Sequence, residues 1–308
     1  MTRPRILVLI LLLCLPWSVS LASTTLQLQK LEENIYAIVG ALGNRTAGNF
    51  GNNATFGLVI TGEGAVLIDS GGSYRGAQEI DALIDTVTDQ PVVKVINSGG
   101  QDHRWLGNSY FKANGAELIA SEPAVKDQQA RIQDQLIRLG SLIGDEALQG
   151  TEPVYAETTF TDSMTFTLGD TEFQVMHAGQ AHTPGDSFVW LPQHKVMFTG
   201  DIVYVERMLG VGSQSNNKSW IEVFEAMAAF QPEFVVPGHG QVTDLATARR
   251  DSYDYLVFLR QAVGEFMEEG GDIIDIGSID QSRYEYLLNH ETLAGRNAQQ
   301  VYTEMEWE

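Results

Sequence analysis

Cysteine is almost absent: the 308 residues hold one, Cys14, and it lies in the apolar N-terminal stretch. Basic residues are scarce as well, 19 Lys and Arg against 40 Asp and Glu, for a net charge of −21. The first shortage excludes disulfides and cysteine-ligated metal from any chain that starts after residue 22. The second argues against nucleic acid and anionic membrane surfaces as partners, because a surface this acidic repels phosphate. Beyond the N-terminus there is no internal repeat, no low-complexity linker and no second long apolar run. A spanning helix needs about 20 apolar residues, so no stable membrane anchor is expected once the N-terminus is removed.

That N-terminus, MTRPRILVLILLLCLPWSVSLAS, has Arg3 and Arg5, an apolar stretch from Ile6 to Leu15, and the small-x-small cleavage pattern Ser20-Leu21-Ala22. It reads as a secretory signal over residues 1–22 and predicts a periplasmic or secreted protein. An uncleaved anchor is the alternative, but the apolar core is short for one. Leu11 to Leu13 are too bulky for a lipoprotein cleavage box. Removal of Arg3 and Arg5 with the signal leaves 17 basic residues against 40 acidic ones and moves the net charge to −23.

With 44% hydrophobic residues the remaining chain can bury a sizeable core. Residues 34–39, 56–61 and 64–69 read as strands, the last two joined at Gly62-Glu63-Gly64 into a hairpin. Ile80, Leu83, Ile84 and Val87 share one face of a helix over 76–88, and the strand PVVKVIN follows. In the second half SFVWLPQHKVMFTGD reads as a hairpin closing on Asp201, and the short strand FVVPGHG ends on His239. Leu256, Leu259, Val263 and Phe266 place a long helix over Leu245–Glu269. Two βα halves sharing one core imply an α/β four-layer αββα sandwich.

Three short segments carry the chemistry: GQAHTPGD with His182, FTGD with Asp201, and VPGHG with His239. Each holds a His or Asp at a strand end or in a Gly/Pro turn, where the backbone fixes a ligating side chain. Their order, together with Leu67-Ile68-Asp69-Ser70-Gly71 and Asn108, resembles the metallo-β-lactamase superfamily of hydrolases over residues 30–245. The resemblance implies a domain over 23–245, with 246–308 as a helical extension packed on it. It makes His182 a ligand of a first metal, Asp201 a bridging carboxylate and His239 a ligand of a second metal. Asp69 would orient the ligand loop without touching metal. Imidazoles and carboxylates suit zinc.

The stretch NSGGQDHRWLGN, residues 97–108, departs from the H-x-H-x-D-H pattern that the family places here. Two registers compete. Anchored on Asp102-His103, Ser98 and Gly100 fall on the two His places of the first metal, and Asp102 and His103 are kept for the second. Anchored on Asn97 and Gly107-Asn108, the loop needs no gap. Gly99 and Gln101 then take the His places, His103 the Asp place and Arg104 the last His place, with Gln101 a weak ligand through its carbonyl.

Either register keeps His103, Asp201 and His239 for one ion and strips the first site of its paired imidazoles, so one zinc is expected, though two remain open. Asp102 and His103 are then the catalytic candidates beside a metal-activated water. Arg104 either anchors an anionic substrate group or forms a structural ion pair. Residues 203–208 either wall the pocket or open a helix. His177, His194 and His290 read as ordinary histidines, and Trp105, Trp190 and Trp220 as core or pocket wall.

Three functions compete. The first is an exported metal-dependent hydrolase acting on a small-molecule ester, thioester or lactone. The second is a non-catalytic binding protein on the same fold, motivated by the missing His pair. The third is a β-lactamase proper, which fits the compartment but not the loop. The C-terminal RNAQQVYTEMEWE resembles endings of exported hydrolases in branches associated with sulfur oxidation and quinoprotein systems.

Overall fold

Alternate residues along the central strands enter different cores, and that alternation sets the layers. The computed structural model describes residues 26–308; the signal expected over 1–22, with Cys14, lies outside the described residues. The first sheet runs in spatial order β1 (Gln27–Glu32), β2 (Ile35–Val39), β3 (Thr55–Thr61), β4 (Gly64–Ile68), β5 (Val92–Asn97), β6 (Glu117–Ser121), β7 (Thr158–Phe160). The second comprises β8 (Ser163–Leu168), β9 (Thr171–Met176), β10 (Phe188–Leu191), β11 (Val196–Phe198) and β12 (Phe234–Val236), ordered β12-β11-β10-β9-β8.

Ile35, Ala37, Val66, Ile68 and Ile96 of the first sheet meet Val175, Val189, Leu191 and Phe198 of the second in one buried cluster between the sheets. Their neighbours Leu58, Leu67 and Val95 face outward against Ala77, Ile80 and Ile84 of the helix Tyr74–Ile84. On the other side Phe188, Met197 and Val235 pack against Trp220, Phe224, Leu259, Val263 and Val301 from helices Asn217–Ala228, Asp254–Glu268 and His290–Glu306. A period-2 strand buried on both faces needs apolar residues throughout, and β4 is buried at every position. This is the expected αββα sandwich. The C-terminal segment contributes to the same outer core as the second sheet.

β3 and β4 form the expected hairpin, Thr61 pairing Gly64 across a Gly62-Glu63 turn, and β10 and β11 form the next one. The helix expected over Leu245–Glu269 is interrupted by a π-helical turn, Arg249–Tyr253, between Leu245–Ala248 and Asp254–Glu268. The turn swings Asp251 and Ser252 inward. Ser252 Oγ donates to Tyr204 O (2.6 Å) and accepts from Tyr204 N (2.8 Å), and Asp251 Oδ2 accepts from Glu206 N (3.0 Å). Helix periodicity could not show this, since the extra residue serves the neighbouring segment.

The 22-residue helix Glu122–Ile143 was not legible, because its inward face is partly polar. Gln128 Nε2 donates to Gly99 O (3.1 Å) and Gln135 Nε2 to Gly100 O (2.8 Å). The sheets approach closely at Gly57, where a Cβ would stand 2.4 Å from the Phe198 ring. Gly57→Ala is therefore expected to destabilise the fold by about 1–3 kcal/mol, the usual cost of overpacking. Adding Phe198→Leu should recover part of it, read as a non-additive double-mutant cycle in urea denaturation. Additive effects would mean that the two side chains do not compete for the same space.

Candidate metal centre

β11 and β12 run parallel with Phe198 opposite Val236, so the segments leaving them deliver Asp201 and His239 side by side. Asp201 sits on the short turn Gly200–Ile202, and the backbone tie from Gly238 N to Val203 O (2.8 Å) holds the two exits together. From the facing sheet, β4 leads into Asp69 and β5 into the loop 98–101 and the helical turn Asp102–Trp105, which carries His103. The site thus lies beyond the carboxyl ends of parallel strands, where open α/β sheets place their ligands.

Three side chains converge there. Donor atoms of His103, Asp201 and His239 all lie within 4.8 Å of one another, and all three residues are buried. His103 Nε2 is 3.2 Å from Asp201 Oδ2 and His239 Nε2 is 3.3 Å from Asp201 Oδ1. Each far nitrogen has its own partner: His239 Nδ1 meets Asn53 O at 2.7 Å, and His103 Nδ1 meets the Arg45 guanidinium at 2.5 Å with Asp102 Oδ1 3.2 Å away. Tyr204 stacks on His239 with ring centroids 4.5 Å apart. Burial pushes the His239 imidazole well below its usual pKa, against Asp201, and so keeps it neutral. For Asp201 burial works the other way, but Arg104 and then His103 outweigh it and hold the carboxyl well below its ordinary range.

His182 does not join this group. Its Nδ1 meets Gly210 O at 3.0 Å and its ring lies between Tyr204 and Trp220, with centroids 5.9 and 5.6 Å away. Burial pushes its pKa down to about 4, although Asp201 pulls upward. It lines the pocket above the three ligands together with Gln101. The two glycines of the loop leave no room for larger side chains. A Cβ on Gly99 would stand 2.4 Å from Asp186 Oδ1, and one on Gly100 only 1.9 Å from Asp127 Oδ2. Asp186 fills the space a side chain at 99 would need, and burial followed by Asp201 pushes its carboxyl up to about 8.

Asp102 stands outside the ligand group too, which corrects its expected place as a ligand. Its carboxylate pairs with Arg45 and accepts from His103 N at 2.8 Å, supporting the imidazole from behind. Burial would raise its pKa, but Arg45 and His103 together lower it. His103 and Arg104 both reach Asp201, whereas the Asp102 carboxylate faces Arg45. The flanks of the loop are tied: Asn97 Nδ2 donates to Asn108 Oδ1 at 3.0 Å and Asn108 Nδ2 to Asn97 Oδ1 at 2.8 Å.

Arg104 is fully buried, which corrects the substrate-anchor expectation in favour of the ion pair. Its guanidinium donates to Asp201 Oδ1 (2.6 Å), Asp69 Oδ2 (2.9 Å), Gly238 O (2.9 Å) and Thr55 O (3.1 Å). Asp69, with Ser98 N and Ser98 Oγ donating to it at 2.7 and 2.8 Å, orients the loop and Arg104 and contacts neither His103 nor His239. Among the other histidines, His177 Nδ1 meets Asp186 O, His194 pairs with Glu32 and His290 Nε2 meets Gln281 O. Trp105 and Trp220 are core. Within 203–208, Tyr204, Arg207 and Met208 line the pocket, while Val203 and Val205 belong to the core.

The role of Arg104 generates a prediction. Arg104→Met leaves two buried carboxylates unpaired and should cost about 3–5 kcal/mol of stability in urea denaturation. A residue that only gripped substrate would instead raise KM and leave the denaturation midpoint where it was.

The comparisons with known proteins agree with this geometry. The profile of the metallo-beta-lactamase superfamily matches residues 50–239, more than half of the chain. A metallo-beta-lactamase type 2 from Elizabethkingia meningoseptica is 24% identical over 222 residues, covering 71% of this chain and 80% of that protein. A linear primary-alkylsulfatase from Pseudomonas sp. (strain ATCC 19151) is 23% identical over 247 residues, covering 65% of this chain and 45% of that protein. Among solved structures, a metallo-beta-lactamase from Pontibacter korlensis superposes with TM-score 0.60 at 22% identity, covering 75% of this chain and 99% of that one. A sec-alkyl sulfatase double mutant gives TM-score 0.70 at 16% identity, covering 91% of this chain and 50% of that one. Fold, site placement and sequence match together make the chain a member of the metallo-beta-lactamase superfamily.

Proposed function

We propose that the chain is an exported, periplasmic or secreted, metal-dependent hydrolase with a single catalytic ion, cleaving an ester, thioester, lactone or related bond of a small molecule. The observation that carries this reading is the convergence of His103, Asp201 and His239, with both histidines lining one pocket. The donor set fits a zinc-sized cation. Two imidazoles and a carboxylate suit zinc, and one donor atom of each lies within 4.8 Å of the others, with His103 and His239 facing different oxygens of Asp201. When bound, such an ion supplies Lewis acidity and a nucleophilic water near neutral pH.

The chain's own residues do the rest. Asn53 O accepts the Nδ1 proton of His239, leaving Nε2 as the free donor atom, while His103 Nδ1 lies between the Arg45 guanidinium and Asp102 Oδ1, which together fix the ring. Tyr204 stacked on His239 fixes the ring plane. His182, with its Nδ1 on Gly210 O and its pKa pushed down to about 4 by burial, stays neutral and lines the pocket as a hydrogen-bond acceptor for the substrate. Arg104 supports one ion over two. It brings a fixed positive charge to the same Asp201 carboxylate that a second cation would need.

Metal analysis of the purified chain tests the reading. One tightly bound equivalent is expected; two would refute the single-ion form, and none would favour a non-catalytic binding protein. His239→Ala should abolish hydrolysis across a screen of esters, thioesters, lactones and, given the alkylsulfatase likeness, sulfate esters. Asp102→Asn should weaken metal binding by about 10–100-fold, the usual effect of removing a ligand's support. Hydrolysis that survives His239→Ala would end the metal mechanism.

A further inference from the structure

The pocket above His103 and His239 encloses about 210 Å³, and every charged side chain on its wall apart from its histidines is an arginine: Arg45, Arg131, Arg138, Arg207 and Arg296. No Asp or Glu lines it. Five of the chain's 19 basic residues therefore gather at one cavity of a protein with net charge −21. Random placement on so acidic a surface would mix carboxylates among them.

The ion pairs account for only some of these charges. Arg45 is matched by Asp102 and Arg131 by Asp127. Arg207 has no carboxylate partner among the described residues; its Nη1 donates to Leu42 O (3.0 Å) and Gly43 O (2.9 Å), and its buried Nε is unpaired. Arg138 and Arg296 are exposed and make neither a hydrogen bond nor an ion pair among the described residues. The three come from separate parts of the fold: the helix Glu122–Ile143, the pocket wall after Asp201, and the C-terminal helix His290–Glu306. Burying a guanidinium without a counterion is costly. Burial, with Arg45 nearby, holds Arg207 below the ordinary arginine pKa.

We infer that the pocket receives a substrate through an oxyanion group, a carboxylate, sulfate or phosphate, held by Arg207, Arg138 and Arg296 while the rest of the molecule reaches the metal centre. The guanidinium fork suits all three oxyanions, since each offers paired acceptor oxygens. Asn297 serves this arrangement by tying the C-terminal helix to the wall: its Oδ1 accepts from Val211 N (2.9 Å) and its Nδ2 donates to Leu209 O (2.9 Å). The inference names the substrate class for the hydrolase proposed above, but its test needs neither metal nor turnover.

Titration calorimetry of the chelator-treated full chain with sodium sulfate, phosphate or acetate, at constant ionic strength in chloride, provides that test. Saturable binding of at least one of the three is expected, and the strongest arm identifies the head group. Removing the charge at both exposed positions, Arg138→Gln with Arg296→Gln, should weaken it by about tenfold or more without shifting the thermal midpoint, because neither side chain bonds to the protein. Arg207→Gln should weaken it further if the variant folds. No binding above chloride, or binding unchanged in the Arg138→Gln/Arg296→Gln chain, would overturn the inference. A chain that binds oxyanions yet takes up no metal would keep it and sink the hydrolase reading instead.

Discussion

Asp201 carries more of the structure than any other side chain. It is buried, it is charged, and it is shared by Arg104, His103 and His239, which arrive from both sheets. A carboxylate in such a place demands compensation from every side. Arg104 gives a fixed positive charge and passes the constraint to Asp69, which fixes Ser98 and so the start of the ligand loop. The imidazoles give the directional contacts and, in turn, recruit Asn53 and Asp102. Two facing sheets thereby meet at one anion.

The single-ion centre proposed above rests on that arrangement. Asp201 already accepts from the Arg104 guanidinium, and the glycines at 99 and 100 are pressed against Asp186 and Asp127. The reduced loop is therefore built into the packing around it. The helix Glu122–Ile143 closes over that loop with Gln128 and Gln135 on the two glycine carbonyls. The same helix also brings Arg138 to the pocket, so the element that seals the altered loop also shapes what can enter.

The strands and hairpins around Gly62-Glu63 and Gln193-His194 were legible because buried strands write long apolar runs between turn residues. The order of His182, Asp201 and His239 was legible because each sits in a Gly/Pro-held exit from a strand. Arg45, Arg207 and Arg296 were not. They lie in a loop, a wall and the last helix, far apart in the chain, and no local pattern tells a solvated arginine from one facing a cavity. The π-helical turn at Arg249–Tyr253 was hidden for a related reason: its cause is Tyr204 and Glu206, some 45 residues away in the chain.

The sequence by itself determined the layers, the family and the candidate ligands, since periodicity and strand-end motifs are local properties of the chain. Tertiary structure decided which candidates meet. His103, Asp201 and His239 share a point, Asp102 stands behind His103, and His182 stands apart. It also turned Arg104 from a pocket residue into the buried partner of two carboxylates. Spacing along a loop cannot say whether a guanidinium faces solvent or a carboxylate from the opposite sheet; the packing of the two sheets can.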